Sequence, residues 1–162
     1  MPIAMYPGSF DPVTRGHLDI IKRSSRMFDT LIVAVLNNSA KTPLFTVKER
    51  EEMLRECCKD IPNVKVMSFD GLTVNFAQQQ HATVMVRGLR AVTDFENEIQ
   101  LAHTIHALYP GIETVFLSTS LKWSYLSSTI VREAAHYNHD VSKFVTPNVE
   151  AALKKKIREG KV

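Results

Sequence analysis

Residues 2–17 read PIAMYPGSFDPVTRGH, and this stretch decides how the fold begins. Its first five residues form an apolar run, which Pro7 and Gly8 stop because both residues favour a turn. From residue 16 to residue 28 the apolar side chains recur near helical spacing. The stretch therefore predicts a strand, a loop and a helix in that order.

The rest of the chain repeats this alternation. Residues 30–36 read TLIVAVL, a β-branched run typical of a strand that is buried on both faces of a parallel sheet. After a polar loop over residues 37–43, Thr46 and Glu49 have the spacing of a capping box that opens a helix ending at Cys58. Further strands are predicted over residues 64–69, 83–86 and 114–117, and further helices over residues 74–80, 93–108, 127–136 and 149–158.

This order of elements predicts a single domain over residues 1–162. Strands that alternate with helices are joined by right-handed crossovers. They indicate an α/β fold with a doubly wound, Rossmann-like sheet of five parallel strands and helices on both faces. We find no internal repeat and no interdomain linker in the sequence.

Composition narrows the classes of function. The 162 residues are 44% hydrophobic and 23% charged, which is ordinary for a domain that folds without disulfides or a structural metal. Cys57 and Cys58 are adjacent, so they lack metal or disulfide spacing and indicate ordinary thiols in a reducing compartment. No run approaches the roughly 18 apolar residues of a membrane span. We therefore expect a soluble, cytoplasmic protein with no membrane partner.

The net charge of +3 raises the question of nucleic-acid binding. The clearest basic run, Lys154-Lys155-Lys156, has no interleaved aromatic residues, and we interpret it as a solvated helix face. The other basic residues are scattered singly, as expected if several converge on a small anionic ligand. A noncatalytic nucleotide-binding or RNA-binding module is the alternative from a different class, and a steep log-linear loss of binding with salt would distinguish it.

The loop after the first strand is a candidate ligand site, because open α/β sheets bind ligands beyond the carboxyl ends of their strands. It contains neither G-x-G-x-x-G nor G-x-x-x-x-G-K-[ST], so it is not an ordinary dinucleotide or P-loop motif. Gly8 would let the backbone approach a ligand, Ser9 offers an N–H and a hydroxyl, and His17 would lie at the positive end of a helix. These features predict a phosphate site; the simpler interpretation is a plain turn and a surface histidine.

Three separated motifs carry a resemblance to a known family. They are PGSFDPVTRGH at residues 7–17, which contains a T-x-G-H signature, RGLRAVTDFENEIQLA at residues 87–102 and KWSYLSSTIVRE at residues 122–133. Together with Lys41 they resemble the phosphopantetheine adenylyltransferases of the nucleotidyltransferase superfamily. The resemblance covers nearly the whole chain and implies one nucleotidyltransferase domain over residues 1–162.

The resemblance implies transfer of AMP from ATP to 4′-phosphopantetheine by direct in-line attack. The products would be dephospho-CoA and pyrophosphate, in the penultimate step of coenzyme A biosynthesis. The acceptor phosphate is already anionic, so the reaction needs positioning and charge stabilisation but no catalytic base. The resemblance further implies Mg²⁺ bound mainly through the ATP phosphates, a homohexamer and feedback inhibition by coenzyme A, with no nucleic-acid partner.

The resemblance also assigns roles to individual residues. The catalytic positions are His17, Lys41 and Arg90, and His17 would stabilise the transition state electrostatically. The acceptor-binding positions are Ser9, Lys41, Thr73 and Arg87. The ATP-binding positions are Ser9, Phe10, His17, Gly88, Leu89, Arg90, Glu98, Trp123, Ser124, Tyr125, Leu126, Ser127, Ser128 and Thr129.

The match leaves some questions open. Asn97 and Ile105 lie at positions where some relatives carry other residues. These differences concern acceptor affinity and regulation more than the type of reaction. Asp11 is the nearest acidic candidate for a metal contact, although the sequence contains no dedicated metal cage. Because the T-x-G-H loop recognises nucleotide phosphates and not the acceptor, adenylyl or cytidylyl transfer to another phosphorylated acceptor is the nearest alternative.

Overall fold

The computed structural model describes residues 2–38 and 40–162, and every side chain among them except those of residues 92 and 93. Ser39, within the predicted polar loop, lies outside the described residues. The strands are β1 (Ile3–Gly8), β2 (Thr30–Leu36), β3 (Val64–Phe69), β4 (Val84–Leu89) and β5 (Glu113–Ser118). The helices are α1 (Arg15–Ser25), α2 (Val47–Cys58), α3 (Thr73–Gln79), α4 (Val92–Leu108), α5 (Ser128–His136) and α6 (Pro147–Arg158), with a 3₁₀ turn at Leu121–Trp123. No helix in these ranges is long and apolar enough to cross a bilayer.

The strands form one parallel sheet in the order β3-β2-β1-β4-β5. The chain runs outward from β1 to β3 and then returns to add β4 on the other side of β1. The carboxyl ends of β1 and β4 therefore form a topological switch point, where sheets of this kind bind ligands. The predicted five-stranded, parallel, Rossmann-like sheet is confirmed.

Helices cover both faces of the sheet, as predicted. Side chains alternate between the two faces of a strand, so Ala4 and Tyr6 of β1 pack on one side and Met5 on the other. Ala4 and Tyr6 belong to an apolar cluster with residues of α1, α2, α5 and α6. Met5 belongs to a second cluster with residues of α3 and α4. The strand β2 is buried from Leu31 to Val35, in agreement with its apolar sequence.

Two helices begin with a capping box. At α2 the hydroxyl of Thr46 accepts the amide of Glu49 at 3.1 Å, and the Glu49 carboxylate accepts the amide of Thr46 at 2.7 Å. This confirms the predicted start of that helix. At α1 the cap is Thr14, and His17 occupies the position that Glu or Gln usually takes. The histidine is thereby fixed against the first turn of its own helix.

The predicted end of β4 at Val86 is wrong by three residues. Residues 87–89 pair with residues 116–118 of β5, so the strand continues to Leu89. These ladder hydrogen bonds override the tendency of Gly88 to break a strand. The segment that the sequence indicates as an arginine turn is therefore mostly strand, and Arg87 is held by the sheet.

Two predictions about helices also need correction. The helix α1 ends at Ser25 and not at residue 28; the Ser25 hydroxyl donates to a carbonyl of the preceding turn, a bond that competes with helix continuation. Lys156 is 8% exposed and not solvated. Its ammonium lies 3.1 Å from the Glu49 carboxylate and 5.5 Å from the Phe45 ring centre. Helical periodicity turns the third lysine of the basic run inward.

Candidate active site

A cavity of about 230 Å³ lies at the switch point between β1 and β4. The loop after β1, the first turn of α1, the end of β4, α4 and the start of α5 contribute its walls. The predicted site residues that line it are Phe10, His17, Arg87, Gly88, Arg90, Glu98, Trp123, Leu126, Ser127 and Ser128. The fold therefore brings the three separated sequence motifs to one place.

A second cleft, of about 700 Å³, lies beside this cavity. Ser9, Lys41 and Thr129 of the predicted residues line it, and Ser128 borders both spaces. Gly8 at the end of β1 and Phe10 in the following loop line the cavity, while Ser9 between them lines the cleft. The loop after β1 thus separates the cavity, which contains His17, from the cleft, which contains Lys41.

Phe10 fixes the shape of this loop. Its φ of 48° lies in the left-handed region that residues other than glycine seldom adopt, a kind of strain that is concentrated at functional sites. The ring is buried and meets the His17 imidazole edge-on, with ring centres 5.0 Å apart. A Cβ on Gly8 would lie 3.1 Å from the Phe10 ring, so a larger residue there would require the ring to shift.

His17 presents one defined nitrogen to the cavity. The amide of Thr14 donates to the imidazole Nδ1 at 3.0 Å, so Nδ1 carries no proton. A neutral imidazole then carries its proton on Nε2. Burial, together with the charges of Arg90 and Arg87, lowers the His17 pKa to about 4. Near neutral pH the side chain is an uncharged N–H donor, which suits a group that stabilises negative charge without giving up a proton.

This low pKa predicts how stability depends on pH. An unfolded histidine has a pKa near 6.5. Between pH 6.5 and 4, His17 is therefore protonated in the unfolded chain but stays neutral in the folded chain. The His17 contribution to the free energy of unfolding is therefore constant above pH 6.5 and is lost as the pH falls towards 4. Urea unfolding of the wild type and of His17→Gln from pH 4 to 8 measures this contribution. If the free energies of unfolding of the two proteins changed with pH in parallel, the lowered pKa of His17 would be contradicted.

Arg87 is engaged by a carboxylate within the cavity. Its Nε and Nη2 each donate to one Glu98 oxygen at 2.7 Å, and its Nη1 donates to the carbonyl of Pro7 at 3.2 Å. The two side chains are 24% and 16% exposed. A bidentate pair of this kind is strong and directional. An anion that binds Arg87 must compete with Glu98, so this pair controls access to one of the cavity's cations.

Positive electrostatic potential at the cavity has a second source in two helix N-termini. Gly16 and His17 belong to the first turn of α1, and Ser127 caps α5 by accepting the amide of Ile130 at 3.2 Å. Helix N-termini carry partial positive charge and bind phosphates. Arg90 adds a guanidinium whose charge is offset by Asp94 at 3.1 Å, and its Nη1 donates to the carbonyl of Leu126 at 3.0 Å, beside the start of α5.

The remaining predicted residues have other surroundings. Lys41 is exposed on the loop after β2, and Thr73, half-buried at the start of α3, lines neither the cavity nor the cleft. Leu89 is the last residue of β4. The Ser124 hydroxyl donates to the carbonyl of Leu121 at 3.0 Å, and the Tyr125 ring, 53% exposed, meets that of Phe144. The structure thus gathers the predicted nucleotide residues more closely than the predicted acceptor residues.

The sequence reasoning missed several lining residues. Tyr6, Asp94 and Thr119 line the cavity, and burial raises the pKa of Tyr6 to about 12 despite the nearby charges of Arg87 and Arg90. The sequence pattern predicts that Tyr6 is a core residue, because it lies in the apolar run of β1. The signal that could have identified these residues is their position near the carboxyl end of a strand or in the first turn of the following helix.

The carboxylates near the site are already engaged. Asp94 accepts from Arg90 at 3.1 Å, Glu98 is bound by Arg87, and both oxygens of Asp11 accept backbone amides. Within the described ranges, no group of three or more His, Cys, Asp or Glu side chains could hold a metal ion. The donor set does not form a protein cage for a divalent cation, and a magnesium ion would fit here only as part of a bound triphosphate.

Comparison with known proteins places this geometry in a family. The cytidylyltransferase-like family model matches residues 5–134. The chain is 60% identical to the phosphopantetheine adenylyltransferase of Lachnoclostridium phytofermentans, over 91% of this chain and 90% of that one. It is 52% identical to that of Caldanaerobacter subterraneus subsp. tengcongensis, over 98% and 99%. The structure of Plasmodium falciparum nicotinic acid mononucleotide adenylyltransferase shares the fold, with a TM-score of 0.70 over 95% of both chains at 16% identity.

Proposed function

Because the chain belongs to the phosphopantetheine adenylyltransferases of the cytidylyltransferase-like family, we propose that its cavity and cleft together transfer AMP from ATP to 4′-phosphopantetheine. One observation carries the mechanism: the neutral imidazole of His17 lies where two helix N-termini and two arginines converge. Such a cavity stabilises negative charge on a phosphate.

The reaction needs no covalent enzyme intermediate. An oxygen of the acceptor 4′-phosphate attacks the α-phosphorus of ATP, and the bond from that phosphorus to the bridging oxygen of the β-phosphate breaks. Dephospho-CoA and pyrophosphate leave. The attacking oxygen already carries negative charge, so the chain's task is to align the two phosphates and to stabilise the charge that develops on the α-phosphate.

His17 serves the α-phosphate in this proposal. Its Nε2–H donates to a non-bridging oxygen, and the bond strengthens as charge develops there. The bond from Thr14 to Nδ1 holds the tautomer and the ring orientation throughout. Since burial and two arginines keep the ring neutral, the proton stays on Nε2 and the histidine acts as a fixed dipole.

The other cationic groups of the site are divided between the leaving pyrophosphate and the acceptor phosphate. Arg90 and the N-terminus of α5 would bind the β- and γ-phosphates, which leave as pyrophosphate. The acceptor phosphate would lie where cavity and cleft meet, beside Ser128, with Arg87 on one side and Lys41 on the other. This arrangement is supported by the residues of each site: Arg87 and Arg90 line the cavity, Lys41 lines the cleft, and Ser128 lines both. Magnesium bound to the triphosphate would screen its charge and favour departure of pyrophosphate.

An assay with two acceptors tests the function. Purified protein is incubated with ATP and Mg²⁺, and with 4′-phosphopantetheine, nicotinamide mononucleotide or no acceptor. Released pyrophosphate is measured, and the nucleotide product is identified by mass. We expect dephospho-CoA from the first acceptor alone. Turnover of nicotinamide mononucleotide in its place would overturn the acceptor assignment, and ATP binding without turnover of either would leave only the fold and the nucleotide site.

We also propose assembly and regulation. The helix α4 exposes Leu101 and Leu108 by 40% and 61%; these residues are seven positions apart and therefore lie on one helix face, and exposed apolar side chains of this kind favour contact with a second copy. A cytoplasmic homohexamer that uses this face is the proposal, and sedimentation at the mass of one chain would contradict it. Coenzyme A contains the pantetheine arm of the acceptor, so it would compete with 4′-phosphopantetheine when added to the assay.

A further inference from the structure

Asp11 joins two loops that line the second cleft. It lies on the loop after β1, is 7% exposed, and one carboxylate oxygen accepts the amide of Phe45 at 2.9 Å. The other oxygen accepts the amide of Leu44, also at 2.9 Å. Hydrogen bonds to an ionised acceptor are stronger than neutral ones. The carboxylate therefore ties the end of the loop after β2 to the loop that carries Ser9.

The main chain around Asp11 is also tied to α5. The guanidinium of Arg132 donates to the carbonyl of Asp11 at 2.5 Å and lies 3.9 Å from its carboxylate. The hydroxyl of Ser128 donates to the carbonyl of the next residue, Pro12, at 2.7 Å. Asp11 is thus the point at which the loop after β1, the loop after β2 and the start of α5 meet.

Lys41 lies on the loop that this carboxylate anchors, three residues before Leu44. Asp11 and Lys41 line the same cleft. The Lys41 side chain is exposed, and the amide of Lys41 donates to the carbonyl of Asn38 at 3.2 Å. Lysine is a flexible side chain, so the position of its loop determines where the ammonium can reach.

We infer that Asp11 is a positioning residue that acts through Lys41. By clamping the base of the Lys41 loop to the loop after β1, it holds the ammonium within reach of the phosphates bound beside Ser128. This inference rests on the proposed function, in which Lys41 contacts the acceptor phosphate. Both carboxylate oxygens accept amides of the Lys41 loop, and these two hydrogen bonds are the basis of the positioning role.

A double-mutant cycle tests the inference. In Asp11→Asn, one acceptor oxygen is replaced by an amide group that faces an N–H donor, so we expect kcat to fall about tenfold, as for one hydrogen bond to a charged group. In the Lys41→Ala background, the same change should alter kcat less than twofold, because the residue through which Asp11 acts is gone. ATP affinity and the Mg²⁺ dependence should not change.

Asp140→Asn is the matched control. Asp140 also accepts a loop amide, that of Ser142 at 2.9 Å, but it lines neither the cavity nor the cleft. We expect wild-type kcat for this variant. Slow hydrogen exchange of the Leu44 and Phe45 amides in the unmodified protein tests the clamp without any variant, and exchange at the rate of open loop amides would overturn it.

The outcomes separate two hypotheses. Wild-type activity in Lys41→Ala would refute the proposed role of Lys41, whatever Asp11 does. A large loss in Lys41→Ala with none in Asp11→Asn would overturn the inference about Asp11 alone. Losses that multiply in the double variant would show that Asp11 does not act through Lys41. A changed Mg²⁺ requirement in Asp11→Asn would identify a metal contact and would also overturn it.

Discussion

Replacing His17 with alanine lowers kcat by about 10²–10³-fold, the loss expected when one preorganised donor to a developing oxyanion is removed. The Nε2–H of the neutral ring would contact the α-phosphate most strongly in the transition state, so the affinity for ATP should change much less than kcat. Initial rates of dephospho-CoA formation, together with equilibrium binding of ATP to the variant, measure the two effects separately. A His17→Ala enzyme with wild-type kcat would remove His17 from the mechanism.

Stability needs its own control in this experiment, because the ring also caps α1. Alanine breaks the bond from the Thr14 amide to the ring and should cost about 1 kcal/mol. Glutamine is a usual residue at this capping-box position and can accept the same amide. We expect His17→Gln to unfold near the wild-type midpoint and still to lose activity. Because the glutamine amide also carries N–H donors, wild-type activity in His17→Gln would assign the effect to helix capping only if His17→Glu, which caps without a donor, were equally active.

The sequence predicted those parts of the site that depend on local pattern. His17 could be placed at a helix start because Thr14 and Gly16 precede it in a recognisable motif, and the structure puts it in the capping position of α1. The buried strand β2 and the start of α2 at Thr46 were predictable for the same reason, since apolar runs and capping boxes act over a few residues.

Contacts that depend on the tertiary structure were not predictable in this way. The pair of Arg87 and Glu98 joins a strand to a helix across eleven positions in sequence. Taken alone, either residue would be predicted to be a solvent-exposed charged side chain. Tyr6 reads as core because the polar cavity at the end of its strand exists only once β4 lies beside β1. The separation of Lys41 from the cavity that holds His17 likewise depends on how the loop after β1 folds.

Replacing Arg50 with methionine should destabilise the fold by about 3–5 kcal/mol, because three hydrogen bonds from a charged donor are lost together. Arg50 is 2% exposed. Its Nε donates to the carbonyl of Phe45 at 3.1 Å, and its Nη1 donates to those of Ser9 at 2.8 Å and Leu36 at 3.0 Å. Burial lowers the pKa of Arg50, while the charge of Asp11 raises it. Methionine fills similar space and leaves the three carbonyls without this donor, among them the buried one of Phe45.

The matched control is Arg55→Met on the same helix. The Arg55 side chain is 55% exposed and bonds to Glu51 at 2.7 Å, and exposed pairs of this kind contribute less than about 1 kcal/mol. Thermal unfolding of both variants should give a midpoint roughly 10 °C lower for Arg50→Met, at 2–4 °C per kcal/mol for a chain of this size, and little change for Arg55→Met. The three carbonyls lie at Ser9 and at the two ends of the Lys41 loop, so Arg50→Met should also lose activity below its unfolding midpoint. Equal midpoints for the two variants would mean that solvent or neighbouring groups satisfy those carbonyls, and that Arg50 does not hold the loops of the site together.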